Sequence, residues 1–349
     1  MPATLLHDDV LQQRPMPLPA PRGAASGAVL DALQGEANGL DDAVDRALAD
    51  TADILGDEDL QLALLLLYEL HYGGLAGVDD GLEWSPQLLA ARARIERDLE
   101  AAIRAVVRVP ERPEPTAAAV AEALFALTGE DSGPSLSRYV ARKATLEQLR
   151  EFLVQRSIYT LKEADPHSFG IPRLTGRAKA ALVEIQSDEY GGGRPGRIHS
   201  AIFARTMRAL GLDDAVGAYL DLVPAVTLAS LNTMSLFGLH RRLRGANVGH
   251  LAAFEMTSSL PNRQYGNGFR RHGFDEEATW YFDEHVEADA VHEQIAARDL
   301  AGGLVEGEPA LLDDVLFGAA ACLEMDGRAG AWILERWTAG ESSLRAPVP

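Results

Sequence analysis

The segment Phe282-Asp-Glu-His285-Val-Glu-Ala-Asp289-Ala-Val-His292 places two imidazoles and a carboxylate at positions i, i+4 and i+7. At 3.6 residues per turn, the three fall within about 60° of one another on one face of a helix. Two nitrogen donors and one oxygen donor suit Fe(II), Mn(II) or Zn(II) better than Ca(II) or Mg(II). Glu284, Glu287 and Glu293 make the same helix acidic throughout, so a plain solvated face fits the stripe equally well.

Further donors lie in apolar surroundings. Glu255 sits in His250-Leu-Ala-Ala-Phe-Glu255-Met, a segment otherwise fit for a core. A carboxylate buried there needs a cation or hydrogen bonds. Glu189 closes the helical pattern Ile185-Gln-Ser-Asp-Glu189, and Gly191-Gly192-Gly193 follow it. His199 opens the next helix, and the glycine break frees the two from any fixed helical angle. Glu163 lies at a helix end, shortly before Pro166 and His167. Four carboxylates and three histidines from separate segments form a donor set for two divalent metals in a helical bundle. The set departs from the ferritin type, because its nearest match to Glu-x-x-His is Asp289-x-x-His292.

Several neighbours read more plainly. Glu184 is expected to support Glu189, His167 to stand behind Glu163, and Lys162 to neutralise nearby carboxylates. Glu69 and His71, at i and i+2, point to different sides of a helix and read as local structure. Trp84, Trp280, Trp332 and Trp337 are expected as packing anchors, and Cys322 as a small buried hydrophobe.

The elements that position these groups are helical. Apolar spacing predicts helices near 116–128, 145–163, 175–190, 198–210, 213–222, 225–240, 246–258, 276–299 and 308–338. Alternating strand-type runs are scarce and no βαβ unit is recognisable, so the fold class is all-α. Residues 1–27, with Pro15, Pro17, Pro19, Pro21, Gly23 and Gly27, read as a flexible leader. An N-terminal helical region over 28–115 follows, and a main domain over 116–349 begins after Pro110, Pro113 and Pro115. The most apolar stretch, Ala215 to Leu239, is broken by Asp221, Pro224 and Asn232, which suits a buried helix better than a membrane span.

Composition narrows the function. The chain has 349 residues, 52 of them acidic against 32 Lys and Arg, for a net charge of −20. Such a surface repels phosphate and argues against nucleic-acid and membrane partners. A single cysteine excludes an internal disulfide and cysteine-built metal sites. With no basic start followed by an apolar run at the N-terminus, the location is expected to be cytoplasmic. No Gly-x-Gly-x-x-Gly, P-loop, His-Glu-x-x-His or Gly-x-Ser-x-Gly motif occurs.

The segments around Lys162-Glu163, Glu184 to Gly193, Arg197-Ile-His199, Phe254-Glu255-Met and His285-x3-Asp289-x2-His292 together resemble the haem-oxygenase-like di-iron oxidases and oxygenases, also described as iron-containing redox enzymes. The spacing is most similar to the N-oxygenating members, over residues 145 to 300. The resemblance implies a haem-oxygenase-like helical bundle with an additional N-terminal helical region, holding two Fe(II) ions without haem and using O2 as co-substrate. It implies that Glu255 bridges the metals, that Glu163, His199 and His292 complete one iron, and that Glu189, His285 and Asp289 complete the other. It implies a homodimer formed through residues 28–115, and a small amine or amino-acid-like substrate that undergoes N-oxygenation. Oxidative decarboxylation or C–C cleavage of a fatty or amino acid is the alternative at the same site. The N-oxygenating relatives carry a further cupin domain that forms an N–N bond; this chain ends at Pro349 without one, so that second reaction is not expected. Two other readings stay open: a haem-binding member of the fold, using His7, His71 or His240, and a non-enzymatic helical binding protein.

Overall fold

A computed structural model describes residues 15–36, 38–129 and 134–348, and among these the side chains of 287–290 fall outside the description. The regular structure of the described residues is helical, with one isolated bridge between Met16 and Leu75. Four helices precede the proline-rich segment: α1 (Ala24–Leu33), α2 (Leu40–Asp50), α3 (Glu58–Glu69) and α4 (Pro86–Val106). Beyond it come α5 (Ala117–Thr128), α6 (Leu136–Arg142), α7 (Leu146–Thr160), the short α8 (Asp165–Ser168), α9 (Gly176–Glu189) and α10 (His199–Ala209). The chain continues through α11 (Ala225–Leu239), α12 (Arg244–Met256), α13 (Ser259–Arg271), α14 (Glu276–Gln294), α15 (Gly302–Gly307) and α16 (Leu312–Thr338). None of these helices is long and apolar enough to cross a membrane.

Local chemistry sets the ends of the elements that matter. At the start of α7, the Thr145 hydroxyl accepts from the Gln148 amide, and Gln148 Oε1 accepts from the Thr145 amide. Asp275 caps α14 by accepting from the Ala278 amide at 3.1 Å. Beyond Gln294, α14 runs into a π-helical turn, Ile295–Ala301. One expectation fails and one helix goes beyond the expected set. Residues 213–222 form only a short 3-10 turn at Leu220–Leu222, since Asp213 and Gly217 hold the preceding segment in turns. A further helix, α13, was not anticipated from Ser-Leu-Pro-Asn-Arg-Gln-Tyr-Gly-Asn-Gly, because the propensity of that stretch is poor. Packing overrides it: Phe269 is fully buried, and a Cβ on Gly268 would lie 2.7 Å from the Val140 carbonyl oxygen of α6.

One apolar core spans both sides of the proline-rich segment, joining Leu62, Leu66, Ile95 and Leu99 to Phe152, Phe203 and Phe237. Asn232 of α11 donates to the backbone oxygen and to Oε1 of Gln61 in α3, at 2.9 and 2.8 Å. Within the segment read as a leader, Met16 is buried, and Arg22 donates to the carbonyl oxygens of Leu220 and Val223. The closest helix pair is α12 with α16. A Cβ on Gly249 would stand 1.9 Å from the Val315 carbonyl oxygen, and one on Gly318 would stand 2.0 Å from that of Ala246. Only glycine permits this approach, and it anchors the helix that carries Glu255.

Candidate metal centre

Six of the seven anticipated donors meet in the interior. Glu163 lies in the turn between α7 and α8, Glu189 ends α9, His199 opens α10, Glu255 is near the end of α12, and His285 and His292 lie on α14. None is more than 6% exposed. The side chain of Asp289 lies outside the described residues. The donor atoms form two groups, each with its members within 4.8 Å of one another: Glu163, Glu189, His199 and His285, and then Glu189, Glu255 and His292.

This grouping of the described donors differs from the ligand division implied by resemblance, which also counts Asp289. Glu189, rather than Glu255, is common to both groups. His199 joins Glu189, and His292 joins Glu255. The cause is helical rise: His285 and His292 are about 10 Å apart along their axis, so each meets a different neighbour. The glycine turn after α9 brings His199 back onto Glu189. Gly191 has φ +69°, and a Cβ there would lie 2.6 Å from the Arg197 backbone carbon. Only glycine fits that return.

The imidazoles are held by one nitrogen and present the other. His285 Nδ1 donates to the Tyr281 carbonyl at 2.7 Å, one turn earlier, which turns Nε2 toward Glu163 at 3.8 Å. His292 Nε2 donates to Asp188 at 3.0 Å, leaving Nδ1 3.3 Å from Glu255. His199 Nδ1 lies 2.7 Å from Glu189. Yet Nδ1 of His199 and of His292 are buried without a properly directed hydrogen bond. Carboxylate and imidazole thus converge on shared points instead of facing each other, as donors around a cation do. Glu163, Glu189, Glu255 and His285 line a cavity of about 10 Å³, on the order of one water-sized sphere. The residues therefore fit small divalent metal ions bound through nitrogen and oxygen.

The electrostatics agree. Burial, and then the negative charge of Glu189, push the Glu163 carboxyl up to about 8. Burial also raises the Glu255 carboxyl, against the pull of His292. Burial would raise Glu189 as well, but His199 outweighs it and holds that carboxyl near 2. Burial would lower His199, but Glu189 lifts it to about 9. His285, buried and beside His199, falls to about 3. Three buried carboxylates crowd one site, an arrangement that a cation would relieve.

The surroundings of the site differ in detail from expectation. Tyr281 was not anticipated; its hydroxyl donates toward both Glu163 oxygens. Its only signal in the sequence is its position one turn before His285. Asp188, also missed, orients His292. Lys162 pairs with buried Glu69 and not with a donor of the site. His167 bonds to His250 at 3.1 Å rather than to Glu163, and Glu184 is exposed. His71 is taken by Glu83 and Arg92, and His240 lies 2.9 Å from Glu96. Trp337 is a buried anchor and Cys322 is buried, but Trp84 is 68% exposed. Ala164, next to Glu163, has φ 77°, an unfavourable left-handed conformation for alanine. Tyr159, Phe254 and Ser258 line both the small cavity and a larger one of about 1130 Å³ beside it.

A family model described as iron-containing redox enzyme matches residues 150–327, the segment that holds every donor above. The chain is also similar to the nitrosourea synthase of Streptomyces achromogenes subsp. streptozoticus, with 30% identity over 159 residues. That match covers 45% of this chain and 33% of the synthase, so the chain spans about a third of that relative's length.

Proposed function

Because this chain belongs to the iron-containing redox enzymes, we propose that it is a non-haem di-iron oxygenase that uses O2 to oxidise a small amine or amino-acid-like molecule, with N-oxygenation as the favoured outcome. The observation that carries this reading is the pair of buried donor groups sharing Glu189. One iron would take Glu163, Glu189, His199 and His285, and the other Glu189, Glu255 and His292, with Asp289 as a further donor. Two Fe(II) ions bound there would supply the electrons that O2 chemistry demands.

The chain's own residues do the rest. Tyr281 holds Glu163 in place, the Tyr281 carbonyl orients His285, and Asp188 orients His292. Such outer partners fix the tautomer and direction of a metal ligand. Tyr159 and Phe254 stand between the donors and the larger cavity, where they keep bulk water from the site and leave a path for the guest. A nitrosourea contains nitrogen bonded to oxygen, and the similarity to a nitrosourea synthase supports N-oxygenation over decarboxylation or C–C cleavage.

The test is anaerobic loading with Fe(II), metal analysis, and then exposure to O2. Two irons per chain and O2 uptake that requires iron are expected. Glu255→Ala and His292→Ala should abolish that uptake. Uptake of O2 at the normal rate by either variant would end the di-iron reading.

A further inference from the structure

The turn that carries Glu163 is held from outside the metal centre. After α7 the backbone turns through Ala164, whose φ of 77° an alanine adopts only at a cost. The hydrogen bond from the Glu163 amide to the Thr160 carbonyl is long, at 3.4 Å, so the local backbone does little to fix the carboxylate. Strain of this kind persists only where the surroundings impose it, and here they act from two sides. On one side, α9 ties down the residues after Glu163. Gln186 donates to the Ala164 carbonyl at 2.9 Å, and the Tyr190 hydroxyl donates to Asp165 at 2.8 Å. Gln186 and Tyr190 flank Glu189, so these bonds set one donor of the centre in register with another.

On the other side stands Lys162, the residue before Glu163. Its ammonium pairs with Glu69, the last residue of α3, and both are buried. The ammonium also lies 4.5 Å from the centre of the Tyr72 ring. Tyr72 is itself fixed: its hydroxyl donates to Ser235 of α11 at 3.0 Å, and its ring meets Phe169 edge-on. A flexible four-carbon side chain is thereby immobilised at its far end. A buried ion pair is weak evidence for stability, because apolar side chains of similar volume often serve as well. Its place beside a strained turn and a metal donor gives it another use.

We propose that Lys162 is a positioning residue: anchored by Glu69 and Tyr72, it keeps the strained turn in place and the Glu163 carboxylate directed at the metal centre. The region before the proline-rich segment thus takes part in holding metal. This rests on the reading of Glu163 as a metal ligand and adds the residue that places it. Lys162 acts through the backbone of the turn and is not itself a ligand.

Paired substitution tests this without leaving one charge alone in the interior. The full chain with Glu69→Leu and Lys162→Met should fold and keep a Tm close to that of the unaltered chain. Mn(II) titration followed by paramagnetic resonance should show at least about tenfold weaker binding at the group of Glu163, His199 and His285, and unchanged binding at the group of Glu255 and His292. Combining the pair with His292→Ala isolates the first group, and with His285→Ala the second. Adding Ala164→Gly, which removes the strain, should restore most of the lost affinity; a purely structural ion pair gives no such rescue. If the paired variant does not fold, Lys162→Arg should bind Mn(II) normally and Lys162→Gln about tenfold more weakly. Unchanged affinity, a loss shared equally by both groups with a fall in Tm, or a loss that Ala164→Gly leaves untouched overturns the proposal. If these Mn(II) results hold while iron-dependent O2 uptake fails, the oxygenase reading falls and the positioning role stands; a chain that binds no Mn(II) ends both.

Discussion

The Tyr281 hydroxyl lies 2.9 and 2.8 Å from the two oxygens of Glu163, joining α14 to the turn after α7 at the edge of the metal centre. Replacing Tyr281 by Phe removes that donor but keeps the ring packed against Phe203 and Phe282. The expected cost is roughly 10–100-fold in metal affinity, with the fold retained. Mn(II) titration followed by paramagnetic resonance measures it; unchanged affinity would show that Glu163 needs no such anchor.

The two donor groups predict distinct losses. His285→Ala should remove one metal and leave most of the other, and His292→Ala should do the converse. Asp188→Asn should weaken only the metal held with His292 and Glu255, by roughly tenfold. Metal analysis after equilibration with limiting Fe(II) gives the stoichiometry, and loss of both metals from each variant would mean that the sites fill as one.

Asp326 predicts a pH-dependent gain. Burial raises its carboxyl above the ordinary carboxylate range, whereas the unfolded chain titrates near about 3.9. An acid whose folded value is raised costs stability once it is ionised. That cost is absent below the unfolded value and reaches its full size above the folded one. Asp326→Asn should therefore raise Tm by about 2–4 °C at pH 7 and lose the gain near pH 3.5. An equal gain at both pH values would mean that the carboxylate is not the cause.

The joined core predicts that residues 108–349 do not fold alone. Without α3, Asn232 loses both acceptors on Gln61, and the apolar face of α11 is bared. Expression of that fragment should give aggregated material, and a fragment that unfolds cooperatively would show the region before the proline-rich segment to be dispensable.

Much of the site was legible because metal chemistry restricts residue types. His285 and His292 stood out by spacing, and Glu255 by its apolar neighbours. The way the donors divide was not legible, since it depends on the angle between α12 and α14 and on the glycine return from Glu189 to His199. Tyr281 and Asp188 act through hydrogen bonds that no periodicity encodes. The all-α class followed from the apolar spacing, whereas α13 escaped because its stability comes from burial of Phe269 against its neighbours rather than from its own composition.

The glycine contacts between α12 and α16 fix how the metal centre stands to the larger cavity. Gly249 and Gly318 bring the two backbones so near that neither helix can slide along the other without a steric clash. Glu255 and Asp326 ride on these helices, beyond the crossing on each. The placement of a metal donor relative to the wall of the larger cavity is thus written in main chain, and a side chain at either glycine would shift both together.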